Sequence, residues 1–469
     1  MESLYILIMA AGRGTRMGQD APKVLSKTSG GFLLSHVLET AYELEPEKIV
    51  IIAGHQHEAV KKAVEEDVGP KKLDMGKLCF VIQEQQLGTG DAIKSALPAL
   101  DGCSGSVLVL SGDVPLIGAD TLKSMIARHS EDKATITLLS SIKEDAGSGG
   151  RILRDSSTQQ IKKIIEAKDC APSELEIKEV NSGIYVVDSA FLSPAIKELK
   201  NDNAQKEYYL TDIVEQAFKE GQRISHVHLS DETEVMGVNN RYELAQVNEV
   251  LNDRYVKRFI ELGVEVEDRR SLIVDRQVEI APGATIGPRV RLKGNTKIGK
   301  DVVLEGSCHI IDSQIGDGSL IKFSTRIEQS VVGAGASIGP FAHLRPESKI
   351  GNKARVGNFV ETKKATLKDG AKANHLTYLG DCTVGEGSNI GAGTITCNYD
   401  GANKHHTEIG KDVFIGSNSS LIAPVEIGDN ATIGAGSVIS KGVAKDSLAL
   451  TRAKLIEKSG WVRKKKQKE

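Results

Sequence analysis

The sequence predicts an α/β chain built on two plans, a helix-covered and mostly parallel sheet followed by a coil of six-residue repeats. Three observations predict it. Short aliphatic runs alternate with amphipathic segments through roughly the first half of the chain, the signature of β and α elements in turn. Aliphatic residues then recur every six positions in three runs between Val274 and Ile439. Glycine shifts with the plan: residues 1–262 hold 20 of the 47, and the shorter stretch 263–469 holds the other 27.

In the first half, residues 4–10, 48–53, 106–110 and 134–139 read as buried parallel strands separated by helical segments. Ligands of such sheets bind beyond the carboxyl ends of the strands. The first strand ends in Ala10-Ala11-Gly12-Arg13-Gly14-Thr15-Arg16-Met17, where two glycines let backbone N–H groups crowd an anion and Arg16 adds charge. It is neither a Walker loop nor the dinucleotide fingerprint, because no Gly-Lys-Ser/Thr follows and Met17 stands at the third glycine position. Pro22-Lys23 places a lysine within reach of the same anion. The loop from Gln83 to Gly90 suits reading a base through amide and backbone hydrogen bonds. Ser111-Gly112-Asp113 closes a buried strand on an aspartate; as a hard oxygen ligand facing a phosphate loop, Asp113 suits Mg²⁺.

These residues resemble the sugar-nucleotide pyrophosphorylases, and A-A-G-x-G-T-R-M with P-K is the part that carries the likeness. Gln86-Leu-Gly-Thr-Gly90, Asn181-Ser-Gly-Ile184, Tyr208-Tyr-Leu-Thr-Asp212 and Gly237-Val-Asn-Asn240 narrow it to the uridylyltransferase half of the bifunctional GlmU family. The resemblance implies a Rossmann-like nucleotidyltransferase domain over 1–241 that joins UTP to N-acetylglucosamine-1-phosphate. Ala10, Ala11, Gly12, Gly14 and Lys23 would hold the UTP phosphates, with Lys23 and Arg16 catalytic. Gln83, Gly88 and Thr89 would read the uracil; Gly150, Glu166, Asn181 and Asn239 the sugar; Asp113 and Asn239 would carry Mg²⁺. Two departures stand out: Ser111 where the family usually has tyrosine, and a looser glycine turn, Gly147-Ser-Gly-Gly150.

Asn240–Leu262 lacks Gly and Pro and spaces its apolar residues helically, so 242–262 reads as a linking helix. Beyond it the six-residue period fits neither a helix nor a simple strand. It fits a coil of three flat faces, each pointing one aliphatic residue inward, with about nine coils between 274 and 439. The period is lost twice between 356 and 409, where Cys397–Glu408 forms a polar insertion. His375 lies in that stretch, with Arg345, Lys363 and Lys364 in neighbouring coils. A lone histidine is commonly structural; beside these cations it can instead serve an anion-binding surface.

Phe341-Ala-His-Leu-Arg-Pro-Glu-Ser348, Val356–Ala365, Asn374–Asp381 and Ile390–Thr407 resemble the acetyltransferase half of the same family. The likeness implies a left-handed parallel β-helix of hexapeptide repeats over 263–469, assembled as a homotrimer. His375 would be the general base on the glucosamine-1-phosphate amine, oriented by Glu361. Arg345, Lys363, Tyr378 and Asn389 would bind that sugar phosphate, and Ala392, Asn398, Tyr399, Ser417, Ala435 and Arg452 the acetyl-CoA. His405 and His406 read as solvated loop residues.

Composition bounds the rest. With 469 residues, 40 % of them hydrophobic, the chain can bury the cores of two or three domains. Sixty basic residues against 63 acidic ones give a net charge of −3, so the basic stretch from Arg463 reads as a solvated end and nucleic acid is not an expected partner. Six scattered cysteines without a CxxC pair predict neither disulfides nor zinc and fit a reducing cytoplasm. The acidic start and the lack of a run of about 18 apolar residues predict neither a leader nor integral membrane association. Two other readings stay in view: a single-activity sugar-1-phosphate nucleotidyltransferase with a structural β-helix, and a non-catalytic scaffold. His375, Lys363 and Asn398-Tyr399 weigh against the first; Arg16, Lys23, Asp113 and Asn239 weigh against the second.

Overall fold

A computed structural model describes residues 3–12, 14, 21–54, 56–68 and 74–461, so Arg16 lies outside the described residues. The chain divides into two compact units, Met1–Leu251 and Asn252–Glu469, and the division falls inside the helix Arg241–Glu261.

The first unit is built on a nine-stranded sheet. Its main path runs Ile224–His228, Ile136–Ile142, Glu179–Asp188, Ser106–Ser111, Leu4–Ala10, Lys48–Ala53 and Leu78–Ile82. Leu4–Ala10 pairs in parallel with both Lys48–Ala53 and Ser106–Ser111, while Glu179–Asp188 runs antiparallel to its two neighbours. The near-continuous aliphatic strands are buried on both faces, as a helix-covered sheet requires. Ile6, Ile8, Ile49, Ile51, Leu108 and Leu110 join one core with helices Leu33–Tyr42, His57–Val68 and Ala119–Asp132. The alternate residues Leu7, Val50, Ile52, Val107 and Val109 join a second core with Thr89–Ala96, Ser189–Glu198 and Asp212–Lys219. The strands Leu78–Ile82, Ile136–Ile142, Glu179–Asp188 and Ile224–His228 complete the main path, and Arg151–Arg154 and Ile161–Ile165, off that path, bring the sheet to nine.

The second unit is a prism of short parallel strands around one continuous core running from Val256 to Ile439. Its inward ladder steps Val274, Leu292, Ile310, Ile327, Leu344, Thr362 and Leu379, each paired in parallel with the next. The first two steps are 18 residues and later ones often 17. The missing residue always comes from the same face, where successive inward residues are five rather than six positions apart: 310 to 315, 327 to 332, 362 to 367 and 379 to 384. From 356 to 396 the coil therefore continues although the period is lost. Single-residue deletions shift the phase, and two inward positions carry threonine rather than an aliphatic residue. Thr362 is fully buried and shares a 2.8 Å hydrogen bond with Ser348; Thr396 accepts from the Gly380 N–H at 2.8 Å. The 397–408 insertion lengthens one step of each inward ladder: Val384 to Ile409, Ile390 to Ile415 and Thr396 to Leu421. No helix among the described residues is long and apolar enough to cross a membrane.

Candidate functional sites in the two units

In the first unit the loop after Leu4–Ala10 folds back onto Lys23. Gly14 has φ +60°, and a Cβ there would lie 2.7 Å from the Lys23 Cβ, so only glycine lets this loop close. Gly12 lies against the same side chain, and the Ala11 carbonyl accepts from the Gln86 amide. The Lys23 ammonium donates to the Asp113 carboxylate and, at 3.1 Å, to Asn239 Oδ1. Lys23, which begins the short turn Lys23–Leu25, thus lies between Asp113, just past the strand Ser106–Ser111, and Asn239, just before the helix Arg241–Glu261. Ser111 donates to the other Asp113 oxygen at 2.5 Å, so the residue replacing the usual tyrosine becomes a partner of the carboxylate.

Gln83 is buried; its amide donates to Gly88 O at 3.1 Å and Asp91 at 2.7 Å, which fixes its carbonyl end. Gly88, at φ +108°, precedes the helix Thr89–Ala96 and packs on the Tyr208 backbone, and the Leu210 N–H donates to Thr89 Oγ1. Gly150, Glu166 and Asn181 also converge: the Asn181 N–H donates to Gly150 O at 2.9 Å, and a Cβ on Gly150 would lie 3.6 Å from Glu166 Oε1. Burial raises the Glu166 carboxyl above its usual range, against a 3.2 Å bond from Thr211. Glu166, Asp169, Asn203, Tyr209 and Asp212 line a cavity of about 350 Å³. Asp212 is pushed up to about 6, first by burial and then by Glu215, Glu166 and Asp169. Glu179, His226 and His228 also cluster, but Arg154 closes the carboxylate with two hydrogen bonds of 2.9 and 2.8 Å, making it a salt-bridged sheet edge.

In the second unit the predicted residues gather round two stacked corners. His375 ends the strand Lys372–His375 and Tyr378 begins Tyr378–Val384; on the coil before, Asn358 and Glu361 flank the equivalent corner. Arg345 donates to Glu361 at 2.6 Å. Glu361 is therefore engaged with arginine, and Asn358 Oδ1 is the atom 2.8 Å from His375 Nδ1. Lys404 and then Arg345 hold the Lys363 ammonium below the usual lysine range, so three cations share one patch.

Sequence reasoning missed Lys404. It arrives through the insertion, which folds back by an antiparallel bridge between Tyr399 and Lys404 and by Asp400 accepting from the Ala402 and Asn403 N–H groups. Asp400 also pairs with His405 at 2.7 Å, and His406 contacts Thr383 and Glu408, giving both histidines loop-building partners. Asn398 donates to Asp381 at 2.5 Å and hydrogen-bonds Tyr378, whose hydroxyl burial pushes above its ordinary value.

Ala392, Ser417 and Ala435 stand one above another, two residues beyond the paired ladder Ile390, Ile415 and Ile433. Arg452 reaches the same corner, its guanidinium 3.6 Å from where a Gly434 Cβ would stand. Asn389 sits on that ladder between Lys372 and Phe414.

Known proteins match both halves. The MobA-like NTP transferase domain matches residues 6–211, and the bacterial transferase hexapeptide family, as six repeats, matches residues 406–441. The bifunctional protein GlmU of Geotalea uraniireducens is 44 % identical, over 99 % of this chain and 100 % of its own length. The Streptococcus thermophilus protein of the same name is 42 % identical over 99 % and 98 %, and that of Trichlorobacter lovleyi 43 % over 98 % of both chains. With these relatives spanning both units end to end, the chain belongs to the bifunctional GlmU family.

Proposed function

We propose the following division of labour for a bifunctional enzyme of UDP-N-acetylglucosamine synthesis. The second unit moves an acetyl group from acetyl-CoA to glucosamine-1-phosphate, and the first joins the product to UTP. In acetyl transfer the amine attacks the thioester carbonyl, a C–N bond forms, the C–S bond breaks, and the thiolate leaves. His375 takes the amine proton through a ring nitrogen. Arg345, Lys363 and Lys404 hold the phosphate, Tyr378 and Asn389 the sugar, and the Ala392–Ser417–Ala435 corner with Asn398, Tyr399 and Arg452 takes the coenzyme.

In uridylyl transfer a sugar-phosphate oxygen attacks the α-phosphorus and pyrophosphate leaves. Lys23 with Ala10, Ala11, Gly12 and Gly14 binds the phosphates; Gln83, Gly88 and Thr89 the uracil; Gly150, Glu166, Asn181 and Asn239 the sugar. Arg16 is assigned to the phosphates by the family motif alone. Asp113 and Asn239 fit Mg²⁺, because their oxygens already converge on one cation, the Lys23 ammonium, and are of the hard type that ion prefers. When bound, the ion neutralises charge on the reacting phosphates.

The observation that carries the bifunctional reading is the patch of Arg345, Lys363 and Lys404, with Arg345 also acting on Tyr378, which lies three residues after His375 on the same coil; a merely structural prism does not need such a concentration of cations. The exposed row of Phe323, Phe341 and Phe359, edge-to-face at 5.8 Å and then stacked at 5.6 Å, supports a homotrimer, since apolar corners of this kind favour burial against another copy. A cytoplasmic location follows from the substrates. Two variants test the assignment: His375→Ala should abolish CoA-thiol release alone, and Asp113→Ala pyrophosphate release alone. Any other pairing of loss and variant overturns it.

A further inference from the structure

We infer that Asn358 is a positioning residue for acetyl transfer: its side-chain carbonyl accepts the His375 Nδ1 proton and leaves Nε2 as the base. The inference rests on the reading of His375 as the base and adds the group that selects its tautomer. A neutral imidazole carries one N–H, so the partner of one ring nitrogen decides what the other can do. Asn358 Oδ1 lies 2.8 Å from Nδ1, and a carbonyl oxygen only accepts, so the proton sits on Nδ1.

The scaffold enforces this pairing. Asn358 and His375 are register partners on adjacent coils, and each is followed by a residue at positive φ, Phe359 at 58° and Leu376 at 49°, so both side chains leave equivalent corners. Gly357 sets the spacing: a Cβ there would stand 1.9 Å from the Asn374 carbonyl oxygen, so no larger residue allows the coils to approach this closely. The nearby carboxylates are engaged elsewhere, Glu361 by Arg345 and Asp381 by Asn398. A neutral amide also differs from a carboxylate in adding no negative charge beside a patch that must hold a sugar phosphate.

The test uses the full-length protein with variants Asn358→Ala, Asn358→Asp and His375→Ala. CoA-thiol release is measured at varied glucosamine-1-phosphate and acetyl-CoA, and pyrophosphate release serves as the control for the other unit. Losing the acceptor should lower kcat in Asn358→Ala on the order of 100-fold, with both KM values within about threefold. Asn358→Asp, which can accept but not donate, should recover most of that loss. A role in holding the coils together would raise KM and gain nothing from aspartate. Wild-type kcat in Asn358→Ala, or aspartate no better than alanine, overturns the inference while leaving His375 as the base if His375→Ala is inactive. Retained thiol release in His375→Ala overturns the base reading itself.

Discussion

The two units hold a reactive lysine in opposite ways. Lys23 sits between an aspartate and an asparagine oxygen, nearly buried, with its charge already matched. Lys363 is partly exposed beside Lys404 and Arg345, and their repulsion lowers its pKa. The first arrangement is self-satisfied: the ammonium already has a carboxylate and an amide oxygen as partners. The second is incomplete until an anion arrives. On the proposed roles, a site that binds a divalent cation can store neutrality, and one that captures a sugar phosphate gains from stored positive charge.

The contrast breaks most visibly at Lys23. Lys23→Met should reduce pyrophosphate release about 10²- to 10³-fold, the usual loss for one preorganised charge-stabilising donor, and leave thiol release unchanged. Because the ammonium bridges Asp113 and Asn239, its removal should also strengthen Mn²⁺ binding in the absence of nucleotide, read by electron paramagnetic resonance. Unchanged or weaker Mn²⁺ binding would show that the lysine and the ion do not share those oxygens.

A smaller effect is expected at Lys404. Lys404→Ala removes one charge-assisted contact, typically worth about 1.5–3 kcal/mol, so KM for glucosamine-1-phosphate should rise roughly 10- to 100-fold. In the same variant the repulsion on Lys363 is relieved and its pKa rises, which lysine-specific acylation rates at pH 9 would report as slower labelling. A KM within twofold of wild type places Lys404 outside the phosphate patch.

How much of this was legible follows from what each feature depends on. The parallel strands and the hexapeptide coil rest on local apolar pattern, which Ile6–Ile8 or the Ile409–Ile439 run display directly. The Lys23–Asp113–Asn239 cluster could be assembled only through family motifs, since the three residues are brought together by strand order. Asn358 was illegible because its pairing depends on a 17-residue coil, hidden where Thr362 and Thr396 replace aliphatic residues. Once the coil length is known, counting back 17 from His375 finds it. Lys404 depends on how one irregular hairpin folds back, and no period encodes that.

The neutrality of the first unit stops short of its sugar side, and this gives the smallest prediction. Asp212 faces Glu215, Glu166 and Asp169, with its carboxyl pushed up to about 6 by burial and those neighbours. A carboxyl raised above its unfolded value binds its proton more tightly in the folded state, so the folded state loses stability as pH climbs from about 4 to about 6. Two pKa units correspond to about 3 kcal/mol, but Asp212 is partly exposed and solvent screening brings the cost nearer ~1 kcal/mol. Asp212→Asn should then raise the melting transition of the first unit by about 2–4 °C at pH 7.5 and leave it unchanged at pH 4. An equal shift at both pH values would point to packing rather than charge. No shift at pH 7.5 would mean that the acidic cavity costs the fold nothing, and that the two units differ only in how they hold their lysines.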